Sequence, residues 1–90
     1  MYLAKVVGTV VSTSKDERLV GFKLLLTRRL DAANNLSERS EVCVDTVGAG
    51  SGETVIVTKG SSARFAATNP QAPLDATIVG IVDTVETDEV

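Results

Sequence analysis

The chain has 90 residues, of which 43% are hydrophobic and 23% charged, a composition that predicts one small globular domain over residues 1–90. It has no histidine, no tryptophan and one cysteine, which excludes Ser-His-Asp or Cys-His catalysis and disulfide pairing within one chain and argues against a zinc site. The net charge of −3 and the isoelectric point near 4.8 argue against a nucleic-acid partner held by its phosphates. We therefore expect neither an enzyme nor a cofactor-binding protein.

Short β-branched runs separated by glycine and polar clusters predict an all-β protein. The predicted strands, in chain order, are residues 2–13, 19–30, 41–47, 53–59 and 75–85. The polar residues 14–18 are expected to join the first two strands as an antiparallel hairpin, and the glycine-rich residues 48–52 to join the next two as a second hairpin. One short helix is predicted over residues 61–67, with Ser61 or Ser62 as its N-cap.

The remaining segments are predicted to form no strand or helix. We expect loops over residues 31–40 and 68–74, the second of which holds both prolines, and a frayed acidic end over residues 86–90. Lys5 and Gly8 interrupt the apolar start of the chain and no small-residue cleavage site follows, which indicates a strand and not a signal peptide. No apolar run approaches the roughly 20 residues of a membrane span, and one unpaired cysteine is typical of a reducing cytosol.

Five strands with a short helix before the last predict a small closed or partly open barrel. A barrel has one interior, so its strands should alternate between apolar and polar side chains. Several strands instead carry apolar side chains on both faces: Val6-Val7, Val10-Val11, Leu24-Leu25-Leu26, Val55-Ile56-Val57, Ile78-Val79 and Ile81-Val82. One small interior cannot hold both sets and the chain is too short for a second layer, so we predict that a neighbouring subunit covers the outer set.

Two segments around the third strand suggest other chemistry, which their context argues against. Residues 48–52 are rich in glycine, but the β-branched run after them fits a tight turn and not a phosphate-binding loop. Asp45 follows an apolar strand as in retroviral-type aspartic proteases, but Val47 breaks their motif, and the alternative is a carboxylate that accepts turn amides. Cys43 shares a strand face with Glu41 and Asp45, and we predict that it packs at the barrel exterior or an interface.

A small basic patch of Lys23, Arg28 and Arg29 leaves a second function open. Barrels of the OB type bind nucleic acid through basic grooves and stacked aromatic rings. The available aromatic residues are Tyr2, Phe22 and Phe65. Arg64 lies in the predicted helix among small residues, where its guanidinium can hold backbone carbonyls or a partner's carboxylate, or remain solvated.

A set of sequence blocks covers nearly the whole chain. They are residues 3–13, 23–26, 44–53 (Val44-Asp45-Thr46-Val47-Gly48-Ala49-Gly50-Ser51-Gly52-Glu53), 60–64, 75–76 and 78–83. In this order they resemble the EutN/CcmL family, the pentameric vertex proteins of bacterial microcompartments. Residues 31–40 fall where the family varies, and nothing is carried over onto them. Residues 24–30 and the short ending after Asp83 resemble the propanediol-utilisation or glycyl-radical branch more than the carboxysome branch.

The resemblance implies an OB-like β-barrel that assembles as a cyclic homopentamer. Flat sheets of hexagonal tiles cannot close, and pentagonal tiles supply the curvature at the vertices of the shell. The implied partners are therefore further copies of the chain and hexameric shell proteins, and the implied location is the microcompartment shell in the bacterial cytoplasm. The residues expected at a subunit interface or at the ring edge are Gly48, Gly50, Gly52, Ser61, Ser62, Arg64, Asp45 and Asp83. A nucleic-acid-binding OB module is the alternative.

Overall fold

Five strands close into a barrel in the computed structural model, which describes residues 1–88. The strands are β1 (Tyr2–Val10), β2 (Lys23–Leu30), β3 (Leu36–Asp45), β4 (Thr54–Lys59) and β5 (Ala76–Val82). Around the barrel their order is β1, β2, β3, β5, β4, and β4 pairs again with β1. A 3-10 helix (Glu17–Leu19) precedes β2, and helix α1 (Ser61–Ala66) precedes β5. The predicted all-β barrel with one short helix before its last strand is confirmed.

The first two strands pair as predicted, but the predicted second hairpin is wrong. β4 is antiparallel to β1 and β5, and β3 runs parallel to β5. The connection from β3 to β4, residues 46–53, crosses one end of the barrel and is called the end loop below. It reaches β1, where the Gly52 N–H donates to the Val6 carbonyl (2.8 Å) and the Val6 N–H donates to the Glu53 carbonyl (3.0 Å). A glycine-rich run suits a hairpin turn and a crossing loop equally, so local sequence did not separate the two.

The ends of the first two strands lie inside the predicted bounds. β1 ends at Val10 and β2 begins at Lys23, because a 3-10 helix takes up the start of the predicted second strand. This short helix is fixed by Asp16, whose carboxylate accepts the Arg18 N–H (2.9 Å). The frayed end predicted over residues 86–90 includes two residues, 89 and 90, that lie outside the described part of the chain.

Two further predictions of local structure are wrong. The loop predicted over residues 31–40 is strand from Leu36 onwards, because β3 extends its pairing with the end of β2. Helix α1 has Gly60 as its N-cap, at φ +68° and without a side-chain capping bond, so neither Ser61 nor Ser62 caps it. A backbone at this φ favours glycine, which lacks the Cβ that would clash there.

Branched apolar side chains from β1, β2, β4 and β5 fill the barrel. The fully buried ones include Val6, Leu25, Val55, Val57 and Ile78. Cys43 is also fully buried, so its predicted place at the exterior or an interface is wrong. Its Sγ lies 3.3 Å from Thr27 Oγ1, and burial raises the pKa of the thiol.

The misplacement of Cys43 follows from its charged neighbours on β3. Glu41, Cys43 and Asp45 do share one face, as predicted, but that face points into the barrel. The two carboxylates lie towards opposite ends of the interior, where polar partners are within reach, and the thiol lies in the apolar middle. In a short barrel, a charged residue two positions from Cys43 already lies near the end of the interior, where its carboxylate finds polar partners. Its charge therefore does not show that this strand face is exposed to solvent.

The outer face of the barrel is also partly apolar, as the sequence pattern predicted. Val7, Val42 and Ile81 are 39%, 48% and 37% exposed. Val44 also lies outside but is covered by the chain's own segments around Leu19 and Leu74. Within residues 1–88, no helix is both long and apolar enough to span a lipid bilayer.

Candidate functional site

Asp45 organises the end loop from its buried position at the end of β3. Its side chain is 2% exposed, and its carboxylate accepts the N–H groups of Val47 (3.1 Å) and Ala49 (2.9 Å). Lys23 Nζ lies 4.0 Å from the same carboxylate and donates to the Ala49 carbonyl (2.8 Å). Ala49 is fully buried against the core, so this network holds the loop as a cap over one end of the barrel. The observed contacts match a carboxylate that accepts turn amides.

The glycines give the end loop its tight path. Gly48 and Gly52 have φ values of +77° and +84°, a backbone region that side chains with a Cβ rarely adopt. Gly50 serves differently, because its N–H donates to the Glu53 carboxylate (2.6 Å) and a Cβ there would lie 3.3 Å from the same oxygen. The loop is thus closed on itself and presents bare backbone on its outer side.

Arg64 ties helix α1 to the segment that leads into β5. Its Nη1 donates to the Leu74 carbonyl (3.3 Å), and the Ala63 carbonyl accepts the Thr77 hydroxyl (2.8 Å). The guanidinium therefore holds a backbone carbonyl, which is one of the roles the sequence suggested. Ser61 and Ser62 are exposed on the same helix.

The eight predicted site residues fall into two groups at opposite ends of the barrel. The end loop precedes β4 and helix α1 follows it, so the glycines and Asp45 lie at one end and Ser61, Ser62 and Arg64 at the other. Asp83 is exposed and follows β5 at the end-loop end, because Val82 pairs with Thr54. It lines a cleft of about 300 Å³ between the segment that follows β5 and the connection from β2 to β3.

Sequence reasoning missed a polar cluster, called the end cluster here, that closes the barrel opposite the end loop. It consists of Tyr2, Arg29, Glu41, Lys59 and Asp75. The Glu41 carboxylate accepts hydrogen bonds from the Tyr2 hydroxyl and the Lys59 ammonium. The hydrogen bond between Lys59 and Glu41 raises the pKa of Lys59. Lys59 Nζ also lies 3.5 Å from the Asp75 carboxylate, and the Arg29 guanidinium stacks 3.6 Å from the centre of the Tyr2 ring.

The alternation of side chains along each strand could have predicted the end cluster. Tyr2 precedes the buried Ala4 by two positions, and Lys59 follows the buried Val57 by two, so both point along the interior face. Within residues 1–88, no three cysteine or acidic side chains come together as a metal site. The polar groups at both ends close the barrel.

These features define a small closed five-stranded β-barrel with a partly apolar outer surface. Residues 1–83 match the family described as ethanolamine utilisation protein EutN/carboxysome. The chain belongs to this EutN/CcmL family, as the sequence blocks indicated.

Relatives and solved structures agree along nearly the whole chain. The bacterial microcompartment shell vertex protein GrpN of Rhodospirillum rubrum (strain F11) is 58% identical over 87 residues, covering 97% of this chain and 98% of GrpN. The carboxysome shell vertex protein CcmL of Synechocystis sp. (strain ATCC 27184 / PCC 6803 / Kazusa) is 56% identical, covering 94% of this chain and 85% of CcmL. The solved structure of the GrpN pentameric microcompartment shell protein from Rhodospirillum rubrum superposes with a TM-score of 0.88 at 57% identity, covering 97% and 99% of the two chains.

The names of these relatives bear on the alternatives that the sequence left open. They describe structural shell proteins and not enzymes, so the comparisons give no support to a protease role for Asp45. The alternative of a nucleic-acid-binding OB module is not supported either.

Proposed function

We propose that the chain is a structural shell protein that forms pentamers at the vertices of a bacterial microcompartment in the cytoplasm. The observation that carries this proposal is the close match, in sequence and in fold, to a protein described as a pentameric microcompartment shell protein. A five-fold tile is useful to a shell because it introduces curvature where flat sheets of six-fold tiles meet. Hexameric shell proteins are accordingly the proposed neighbours of the ring.

The outer apolar surface supports assembly into a ring. Leu24 and Val42 on β2 and β3, with Leu19 and Leu74 from the adjoining segments, line a groove of about 180 Å³ on the outside of the barrel. Val42 is 48% exposed in the single chain, which is costly for a side chain of this kind in water. In a cyclic ring each subunit offers one surface to the next subunit and a different surface to the previous one. We propose that this groove, called the outer groove, is one of those two surfaces.

Native mass spectrometry tests the ring directly. We expect an assembly of five chains of 9.4 kDa each for the purified protein. The substitution Val42→Asp puts a charge into the outer groove and is expected to shift most of the protein to species smaller than a pentamer, because an unpaired carboxylate is costly to bury. Leu36→Asp is the control, since Leu36 is exposed to a comparable extent (39%) outside the groove and outside the other contact regions proposed below, and it should leave the pentamer intact.

The outcomes separate the ring from the surface that forms it. A wild-type protein that is a monomer or a dimer at micromolar concentration would contradict the pentamer. If the wild type and the Val42→Asp variant are both pentamers, the proposed ring stands, but the outer groove is not part of its subunit interface.

We further propose that the end loop, with Asp45 and Asp83 at the same end of the barrel, lies at a subunit interface or at the ring edge. Its bare backbone at Gly48, Gly50 and Gly52 permits a neighbour to approach closely. Ser61, Ser62 and Arg64 at the opposite end form the second proposed contact region, at a subunit interface or at the edge that meets hexameric proteins.

Gly50→Val tests the end loop. The new side chain meets the Glu53 carboxylate, displaces the loop and should weaken the pentamer, seen in native mass spectrometry as dissociation at about tenfold higher protein concentration than for the wild type. Ser14→Val adds the same side chain at an exposed position in the connection between β1 and β2, outside the proposed contact regions, and should have a much smaller effect. Equal dissociation curves for the Gly50 variant and the wild type would argue against an interface at this loop.

The kind of microcompartment is the most detailed part of the proposal. Residues 24–30 favour a propanediol-utilisation or glycyl-radical compartment. Overall identity does not separate the kinds, because the GrpN and CcmL relatives differ by two percentage points, 58% against 56%. The genes beside this one, and the hexameric proteins that co-purify with the pentamer, would identify the compartment.

A further inference from the structure

A cleft with a volume of about 370 Å³ lies beside the end cluster, between the end of β2 and the first half of β3. Its lining consists of Arg29, Ser37, Arg39, Ser40 and Glu41. Every residue of this lining has a polar or charged side chain, so the cleft differs from the apolar outer groove. Its volume is within the range of small-molecule sites, which is about 300–1,000 Å³.

The cleft is positively charged although the chain carries a net charge of −3. Among the described residues, the guanidinium groups of Arg29 and Arg39 form no hydrogen bond and no ion pair. The one carboxylate in the lining, Glu41, is already bound to Tyr2 and Lys59. Glu41 forms no ion pair with either arginine, and the guanidinium donors of Arg29 and Arg39 have no acceptor among the described residues.

Arg29 is held by a contact that leaves its donors free, and Arg39 is fixed at its backbone. Arg29 stacks on Tyr2 at 3.6 Å, which orients the plane of the guanidinium without using its N–H groups, and Tyr2 is itself fixed by its hydrogen bond to Glu41. The backbone N–H of Arg39 donates to Ser37 Oγ (3.1 Å), which fixes the strand beneath the second guanidinium. A site that is organised before its ligand arrives loses less entropy on binding.

We propose that this cleft binds a small oxyanion, that is, a molecule bearing a phosphate or a carboxylate group. Two guanidinium forks match the paired oxygens of such groups, and the Ser37 and Ser40 hydroxyls add neutral hydrogen-bond donors. The proposal rests on the barrel of one chain and does not depend on the number of subunits in the ring.

The test is a titration of the full-length, assembled protein, followed by ¹H–¹⁵N NMR at low ionic strength with chloride as the background anion. The probes are inorganic phosphate and succinate. We expect saturable shifts confined to Arg29 and residues 37–41. Arg39→Ala and Arg29→Ala should each weaken binding about tenfold, because each removes a charged pair of donors. The Arg29→Lys variant keeps the positive charge and loses the paired N–H donors of the guanidinium. Its affinity for the anion should therefore lie between those of Arg29→Ala and the wild type.

The control is Arg18→Ala, which removes the same charge from a surface site where Arg18 is paired with Asp16. It should leave the affinity unchanged. Saturation by phosphate alone identifies a phosphate site, and saturation by both probes identifies a general oxyanion site. Binding of neither probe, or an affinity that Arg18→Ala lowers as much as Arg39→Ala, overturns the proposal. Native mass spectrometry of the same samples reports the ring separately, so either result stands independently of the other.

Discussion

Replacing Ile78 with alanine is expected to lower the free energy of unfolding by about 3–4 kcal/mol, the cost typical of a large-to-small change in a tightly packed core. Ile78 is fully buried in the middle of β5, opposite Val57, and packs in the single core of the barrel. Small domains are stable by roughly 5–15 kcal/mol, so this one change removes a large part of the total. Urea denaturation followed by circular dichroism, at one fixed protein concentration, measures the effect.

Ile81→Ala is the matched control for this prediction. It deletes the same atoms from the same strand, but Ile81 is 37% exposed. Since less apolar surface is returned to water and no enclosed cavity forms, the loss should be less than half of that at Ile78. Similar losses at the two positions would mean that Ile81 is buried in the assembled protein, and the native mass of the Ile81 variant would then change as well.

Replacing Asp45 with alanine is expected to destabilise the protein by about 2–4 kcal/mol, because two backbone N–H groups lose their acceptor. One of them belongs to the fully buried Ala49, which water cannot reach without opening the end loop. Lys23 also loses its neighbouring carboxylate. The melting temperature measures the loss, and faster amide exchange at Val47 and Ala49 would locate it in the loop.

Two variants make the Asp45 result interpretable. Glu38→Ala removes an exposed carboxylate outside the proposed contact regions and should change the free energy of unfolding by less than about 0.5 kcal/mol. Asp45→Asn keeps one acceptor oxygen, so its loss should be smaller than that of Asp45→Ala. If Asp45→Ala melted at the wild-type temperature, the end loop would be held by its contacts to β1 and not by this carboxylate.

The parts of the fold that the sequence predicted are those that depend on local pattern. The β-branched runs defined five strands, and the short run of small residues before the last strand defined helix α1. The apolar residues on both strand faces predicted an outer surface that needs a partner, and Val42 shows that surface in the single chain.

The parts that were wrong depend on which distant segments meet. The pairing of β4 with β1 joins Tyr2 to Val57, and nothing in the end loop's own residues encodes it. The interior position of Cys43 depends on partners for Glu41 that come from β1 and β4. The cleft beside the end cluster was missed because residues 36–40, which lie in a strand beside Arg29, were predicted to be loop.

The strand order around the barrel has a consequence for how the protein is made. β5, the last strand to be synthesised, lies between β3 and β4 and pairs with both. A nascent chain that lacks residues 76–82 can form the meander of the first three strands, but the barrel cannot close around its core. Folding is therefore expected to be completed in one late, cooperative step, after translation has passed the final strand.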